Sequence, residues 1–246
     1  SGTATETGHL RSVIWCDEYD KFFIVGDNGF YGSSKDGITI DNSGNLLANK
    51  DIVSLCWSKE LTKFVAVGFT NADEGYYCMS PDGVNWTEGI ISSCKKLFSV
   101  VWSPELHRFV AVGSYSSDDI EFYGFYISSV DGIVWDNSGI LHTDNPNNYL
   151  LSICWSKDLN KFLAGGYNGY YATSKDGIYW DNSGNLLNMT SIKNVLWVDD
   201  LKRYIALCKV GHAGVIFSSE YGINWDASSN TTFELTYGVW SPGYGK

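Results

Sequence analysis

Short apolar runs alternate with polar turns along this chain, and the runs recur in a fixed order. The first kind ends in tryptophan: Ser12–Trp15, Ser54–Trp57, Ser99–Trp102, Ser152–Trp155, Asn194–Trp197 and Gly238–Trp240. The tryptophans are 42, 45, 53, 42 and 43 residues apart. The second kind follows a short polar turn and is almost wholly apolar: 21–26, 63–68, 108–113, 161–166 and 203–208. Such runs suit strands buried on both faces. The third kind starts at glycine, passes through aromatics and ends in a turn: 29–37, 75–83, 124–132, 169–177 and 214–222. The fourth is a short strand carrying Trp86, Trp135, Trp180 and Trp225, with Ile40 in the first copy. No stretch carries capped helical periodicity.

A period in the forties with four strand-like runs per period predicts one four-stranded antiparallel propeller blade per repeat. The expected fold is all-β, a single five-bladed β-propeller domain over 1–246. Its blades are expected at 10–50, 51–95, 96–148, 149–191 and 192–230. An extra C-terminal strand in 233–246 repeats the first run and is expected to serve closure or edge pairing.

The turn after the third run reads Ser-x-Asp-Gly in four copies, with Ser34 and Asp36, Ser80 and Asp82, Ser129 and Asp131, and Ser174 and Asp176. Tyr221 replaces the aspartate in the fifth. Glycine accepts φ > 0 there, and the serine and aspartate oxygens can take up the turn's free N–H groups. The turn with its tryptophan (Trp86, Trp135, Trp180, Trp225), preceded by W-S-x-E-L-x-K-F-V-A-V-G, resembles the Asp-box, or BNR-like, β-propeller repeat. It looks most like the variant in propellers of large DNA viruses and phages. The resemblance spans Arg11 to Ala227 and implies a structural role for these Ser, Asp and Trp residues, away from ligand sites.

Composition narrows the function classes. The net charge of −11 repels phosphate, which argues against nucleic acid and anionic membranes as partners. No apolar run approaches the ~20 residues of a membrane span. Six cysteines lack metal-ligand spacing, so no metal or cofactor is expected. Cys56 and Cys154 are expected as small buried hydrophobes, and a Cys78–Cys94 disulfide is conceivable. Sequons at Asn85, Asn188 and Asn230 permit a secretory route.

Sialidases hold a substrate carboxylate with three arginines. This chain has Arg11, Arg108 and Arg203, but the last two share the repeat position of Lys21, Lys63 and Lys161. Glu18, Glu60, Glu105, Asp158 and Asp200 are likewise one turn position counted five times. A catalytic group should occur once, so no enzyme is expected. His9, His107, His142 and His212 lie in loops or turns. A Ca²⁺ site at Asp118, Asp119 and Glu121 is weaker than a solvated loop.

Binding is the better expectation. The first-to-second and third-to-fourth loops share one face and barely vary. The second-to-third and blade-to-blade loops share the other face and diverge, as binding loops on a rigid scaffold do. They carry the candidate ligand residues Asp27, Asn28, Phe69, Asn71, Tyr115, Asp118, Tyr123, Tyr149, Tyr167, Asn168 and His212. Aromatic rings that stack on sugar faces, flanked by amides and carboxylates, suggest a lectin-like module for adhesion or recognition at a cell, virion or other extracellular surface. The alternative is a structural or protein-interaction module that self-associates through its C-terminal strand. A glycoside hydrolase ranks third.

Overall fold

A computed structural model of the chain describes residues 8–46, 49–141, 146–186, 190–228, 231–232 and 237–238. His142, Asn188, Asn230 and most of the expected C-terminal strand lie outside them. Among the described residues, twenty strands form five four-stranded antiparallel sheets, each a simple meander. The first holds β1 (Leu10–Cys16), β2 (Lys21–Gly26), β3 (Phe30–Ser34) and β4 (Asn42–Asn45). The second holds β5 (Lys50–Ser58), β6 (Lys63–Thr70), β7 (Gly75–Ser80) and β8 (Thr87–Ile91). The third holds β9 (Lys96–Ser103), β10 (Arg108–Tyr115), β11 (Tyr123–Ser129) and β12 (Asn137–Leu141). The fourth holds β13 (Leu150–Ser156), β14 (Lys161–Gly166), β15 (Tyr170–Ser174) and β16 (Trp180–Asn185). The fifth holds β17 (Thr190–Val198), β18 (Arg203–Val210), β19 (Ala213–Ser219) and β20 (Asp226–Ala227). The only helical turns among the described residues are single 3-10 turns at Asp27–Gly29 and Tyr167–Gly169. The chain divides into two compact units, Ser1–Val100 and Val101–Lys246.

The apolar second runs become β6, β10 and β14, buried on both faces as their sequence requires. The hairpin before each second strand turns on a residue at positive φ: Asp20, Thr62, His107, Asn160 and Lys202. His107 is therefore a turn residue. The carboxylates of that turn are scaffold too. Glu18 accepts from Trp57 Nε1 at 3.0 Å, and Glu105 accepts from Trp155 Nε1 at 2.7 Å, so each reaches the next blade's tryptophan.

Each Ser-x-Asp-Gly turn closes in the same way. In the third blade Ser129 Oγ accepts from Gly132 N at 2.8 Å, and Asp131 Oδ1 accepts from Ile133 N and Val134 N at 2.8 Å each. Gly132 sits at φ +73. In the fifth blade Ser219 Oγ still accepts from Gly222 N at 2.9 Å, without a carboxylate.

Three expectations change. Trp86, Trp135 and Trp225 precede the fourth strand, which is built instead from the polar segment after them. The Tyr31, Tyr126 and Tyr171 rings pack on Trp86, Trp180 and Trp225 of the next blade. A glycine in the fourth strand makes room for the ring: a Cβ on Gly44, Gly139 or Gly184 would lie 2.5, 2.6 or 2.9 Å from the hydroxyl of Tyr31, Tyr126 or Tyr171. Second, all six cysteines are free, so Cys78 and Cys94 form no disulfide; both are buried. Third, Cys56 and Cys154 are half-buried rather than buried.

Candidate functional site

First strands carry a shared irregularity near their starts. Register breaks between Leu10 and Ser12, Ile52 and Ser54, Leu150 and Ser152, and Ile192 and Asn194. Arg11, Val53, Leu151 and Lys193 are thus bulged residues without a cross-strand partner. A bulge re-aims its side chain, and here the cationic ones reach the loop after a second strand.

In the unit Ser1–Val100, Arg11 Nε donates to Asp27 Oδ1 at 2.6 Å, and His9 N donates to Asp27 Oδ2 at 2.9 Å. Burial works against the Asp27 carboxylate, but these donors outweigh it and hold the carboxyl below its ordinary range. Asn28, at φ +57, donates its N–H to Asp51 Oδ1 at 3.1 Å. The Phe69 ring meets Phe98 edge-on at 6.1 Å, with Lys96 Nζ 4.6 Å from its centroid. Lys96 also pairs with Asp73 at 2.8 Å. Asn71 N donates to Asn49 O at 2.9 Å, which fixes the neighbouring loop.

In the unit Val101–Lys246, the Tyr149 and Tyr167 rings stack with centroids 4.3 Å apart. Burial, reinforced by a hydrogen bond with Tyr167, pushes the Tyr149 phenol up. Lys193 Nζ lies 5.0 Å from the Tyr167 centroid. Asn168, at φ +54, donates through Nδ2 to Asn147 O at 3.2 Å and to Asn148 Oδ1 at 3.1 Å. Asn148 is fully buried, and its own Nδ2 has no partner. Phe122 adds an edge contact to Tyr149 at 6.4 Å.

The remaining candidates part company with this cluster. Asp118 closes a turn of the repeat's own kind: its Oδ1 accepts from Ile120 N at 3.0 Å and Glu121 N at 3.1 Å, while Ser116 Oγ accepts from Asp119 N at 2.9 Å. Asp119 takes positive φ (+61) where the other copies have glycine. Tyr115 and Tyr123 face each other across β10 and β11, and Tyr123 donates to Glu121. His212 is exposed in the β18–β19 turn, with no bond to the cluster among the described residues. No group of three metal-ligating side chains occurs among the described residues.

Arg11, Asp51, Lys96, Asn148 and Lys193 were not candidate ligand residues in the sequence. For four of them the signal was faint, a charged residue four to six places before Trp15, Trp57, Trp102 or Trp197, and for the uncharged Asn148 there was none.

Five consecutive four-stranded meanders follow one another along the chain, and solved structures decide what they make. The chain is similar to a chain in the crystal structure of the mitotic checkpoint complex, with 11% identity over 95% of this chain and 68% of that one, at a TM-score of 0.68. It is also similar to Kuenenia stuttgartiensis hydrazine synthase, with 10% identity over 88% of this chain and 70% of that one, at a TM-score of 0.63. Both are β-propeller structures. The fold is a five-bladed β-propeller. At such identity the likeness carries the fold alone, and 846 solved chains match, so the propeller selects no function by itself. No protein-family model matches the chain, and no curated protein does.

Proposed function

We propose that this propeller is a non-catalytic binding module that recognises carbohydrate through its variable loops. One observation carries the reading: the stacked Tyr149–Tyr167 pair, with Tyr167 36% exposed, stands beside the Asn147–Asn148–Asn168 amide network. Apolar ring surface with a few convergent amide groups is what a polyhydroxylated ligand needs: rings for its C–H faces, amides for its hydroxyls. Site groups differ from blade to blade while the carboxylates that repeat are spent on turns and tryptophans. That favours recognition over hydrolysis. The repeated Ser-x-Asp-Gly geometry supports the Asp-box kinship, and adhesion or recognition at an extracellular, cell or virion surface is the matching role. A glycan array with soluble protein tests the reading. Binding should appear and fall on Tyr149→Ala and Tyr167→Ala. An array blank at every glycan rejects it.

A second reading has its own support. The turns at the other ends of the strands expose apolar residues in each unit: Ile38 at 87% in Ser1–Val100, and Tyr179 at 77% and Leu201 at 58% in Val101–Lys246. Such exposure suits a protein-interaction module. A blank array together with concentration-dependent assembly, lost on Ile38→Ser and Tyr179→Ser, would favour it over the first.

A further inference from the structure

We propose that the seam between the fourth and fifth blades is a subsite for an anionic saccharide, with the Lys193 ammonium contacting its carboxylate or sulfate. This rests on the carbohydrate reading above and narrows it to one ligand class.

The cation is placed by the backbone. Lys193 is the bulged residue of β17, so it has no partner on β18, and its ammonium lies against the Tyr167 ring. Two other first-strand cations are neutralised where they stand. Arg11 pairs with Asp27 at 2.6 Å and Lys96 with Asp73 at 2.8 Å. Lys193 pairs with no carboxylate among the described residues; its ammonium lies 5.0 Å from the centre of the Tyr167 ring. An ammonium over an aromatic face keeps most of its charge for a third party.

The neutral groups point the same way. Asn168 spends both Nδ2 bonds on Asn147 and Asn148, which occupies the Asn148 oxygen and leaves the buried Asn148 Nδ2 as a spare donor. A buried donor without an acceptor is costly, and a ligand oxygen or a water held by the ligand would satisfy it. The cluster thus offers a cation, a spare donor and an apolar ring pair, with no carboxylate supplied by its named members. An acidic sugar presents the complement: an anionic group, ring oxygens and a C–H face.

The test uses the whole chain and two anionic saccharide probes, a glucuronate-terminated disaccharide and a sulfated galactoside, each measured beside its neutral parent sugar. Affinities are read by calorimetry at low and high salt. At least one anionic probe should bind about tenfold tighter than its neutral parent, as a charge-assisted hydrogen bond allows. The margin should shrink in high salt. Lys193→Gln should abolish the margin and Lys193→Arg should keep it, each with an unchanged melting temperature, whereas Tyr167→Ala should weaken all probes. Which anionic arm binds separates carboxylate from sulfate. Equal binding of neutral and anionic probes, or an unaltered margin in Lys193→Gln, overturns the proposal and leaves the carbohydrate reading standing. Loss of every saccharide, neutral ones included, overturns both.

Discussion

Replacing Gly139 with alanine would add one methyl group where the structure has no room for it. The new Cβ would lie 2.6 Å from Tyr126 Oη and 2.7 and 2.8 Å from two of its ring carbons. Glycine is needed here for space, since its backbone is not in the left-handed region. The ring cannot simply swing away, because it packs on Trp180 with centroids 5.6 Å apart. Overpacking of this kind costs about 1–3 kcal/mol. For a chain of this size that lowers the melting temperature by about 2–12 °C, at about 2–4 °C per kcal/mol. The fifth blade supplies the compensating pair: Ile216 holds the tyrosine position, and Ser228 opposite it, whose N–H donates to Ile216 O at 2.7 Å, holds the glycine position. The double variant Tyr126→Ile/Gly139→Ser should therefore be more stable than the sum of its singles by at least about 1 kcal/mol. Thermal and urea melts of the four-member cycle measure this. Gly139→Ala within about 0.5 kcal/mol of the parent, or strict additivity in the cycle, would refute the steric account.

Acid should weaken the turns below about pH 4. The N–H groups of Thr39 and Ile38 hold the Asp36 carboxyl at about 2, and the Asn85 N–H leads the donors that lower Asp82 further. Both lie below the roughly 3.9 of an unfolded chain, so their contribution is complete above about pH 4 and lost as pH falls through about 2. Melting temperatures between pH 5 and pH 2 should drop, and Asp36→Asn with Asp82→Asn should flatten that drop; an unchanged slope would count against the assignment. Tyr221→Asp should restore the missing acceptor in the fifth blade. About 0.5–1 kcal/mol from the new hydrogen bonds predicts a melting temperature higher by about 1–4 °C, and no gain would mean that the N–H groups there are already served. Six thiols should titrate with Ellman's reagent in denaturant. In the native state Cys16, pushed up by burial to about 11, and Cys94 and Cys208, pushed up to about 12, should react slowly; fewer than six thiols on unfolding would expose a disulfide.

The scaffold was legible because each of its devices is written several times. Apolar second strands, Asp-Gly turns and repeat tryptophans gain weight from every copy, and each depends on residues adjacent in sequence. The fourth strand misled because tryptophan favours strands, whereas the ring here packs beside the strand that follows it. Asp118 misled because its turn lacks the marking glycine; Asp119 supplies the positive φ, which aspartate tolerates. The candidate site was only half legible. Tyr149, Tyr167 and Asn168 could be found as departures from the repeat. Lys193 could not, since its role depends on a register slip in one blade and on a ring in the blade before it. Neither is local in sequence.

The bulge on the first strand has an evolutionary corollary. Arg11, Val53, Leu151 and Lys193 occupy one structural address, and their side chains differ while Ser12, Ser54, Ser152 and Asn194 beside them keep the strand in place. A substitution at that address alters what a seam presents to solvent without asking the buried second strand to change. The propeller is in this sense a rack of like sockets, each open to re-specification by a single codon. Diversification of such a chain needs no new loop, only a different residue in a place already held free for it.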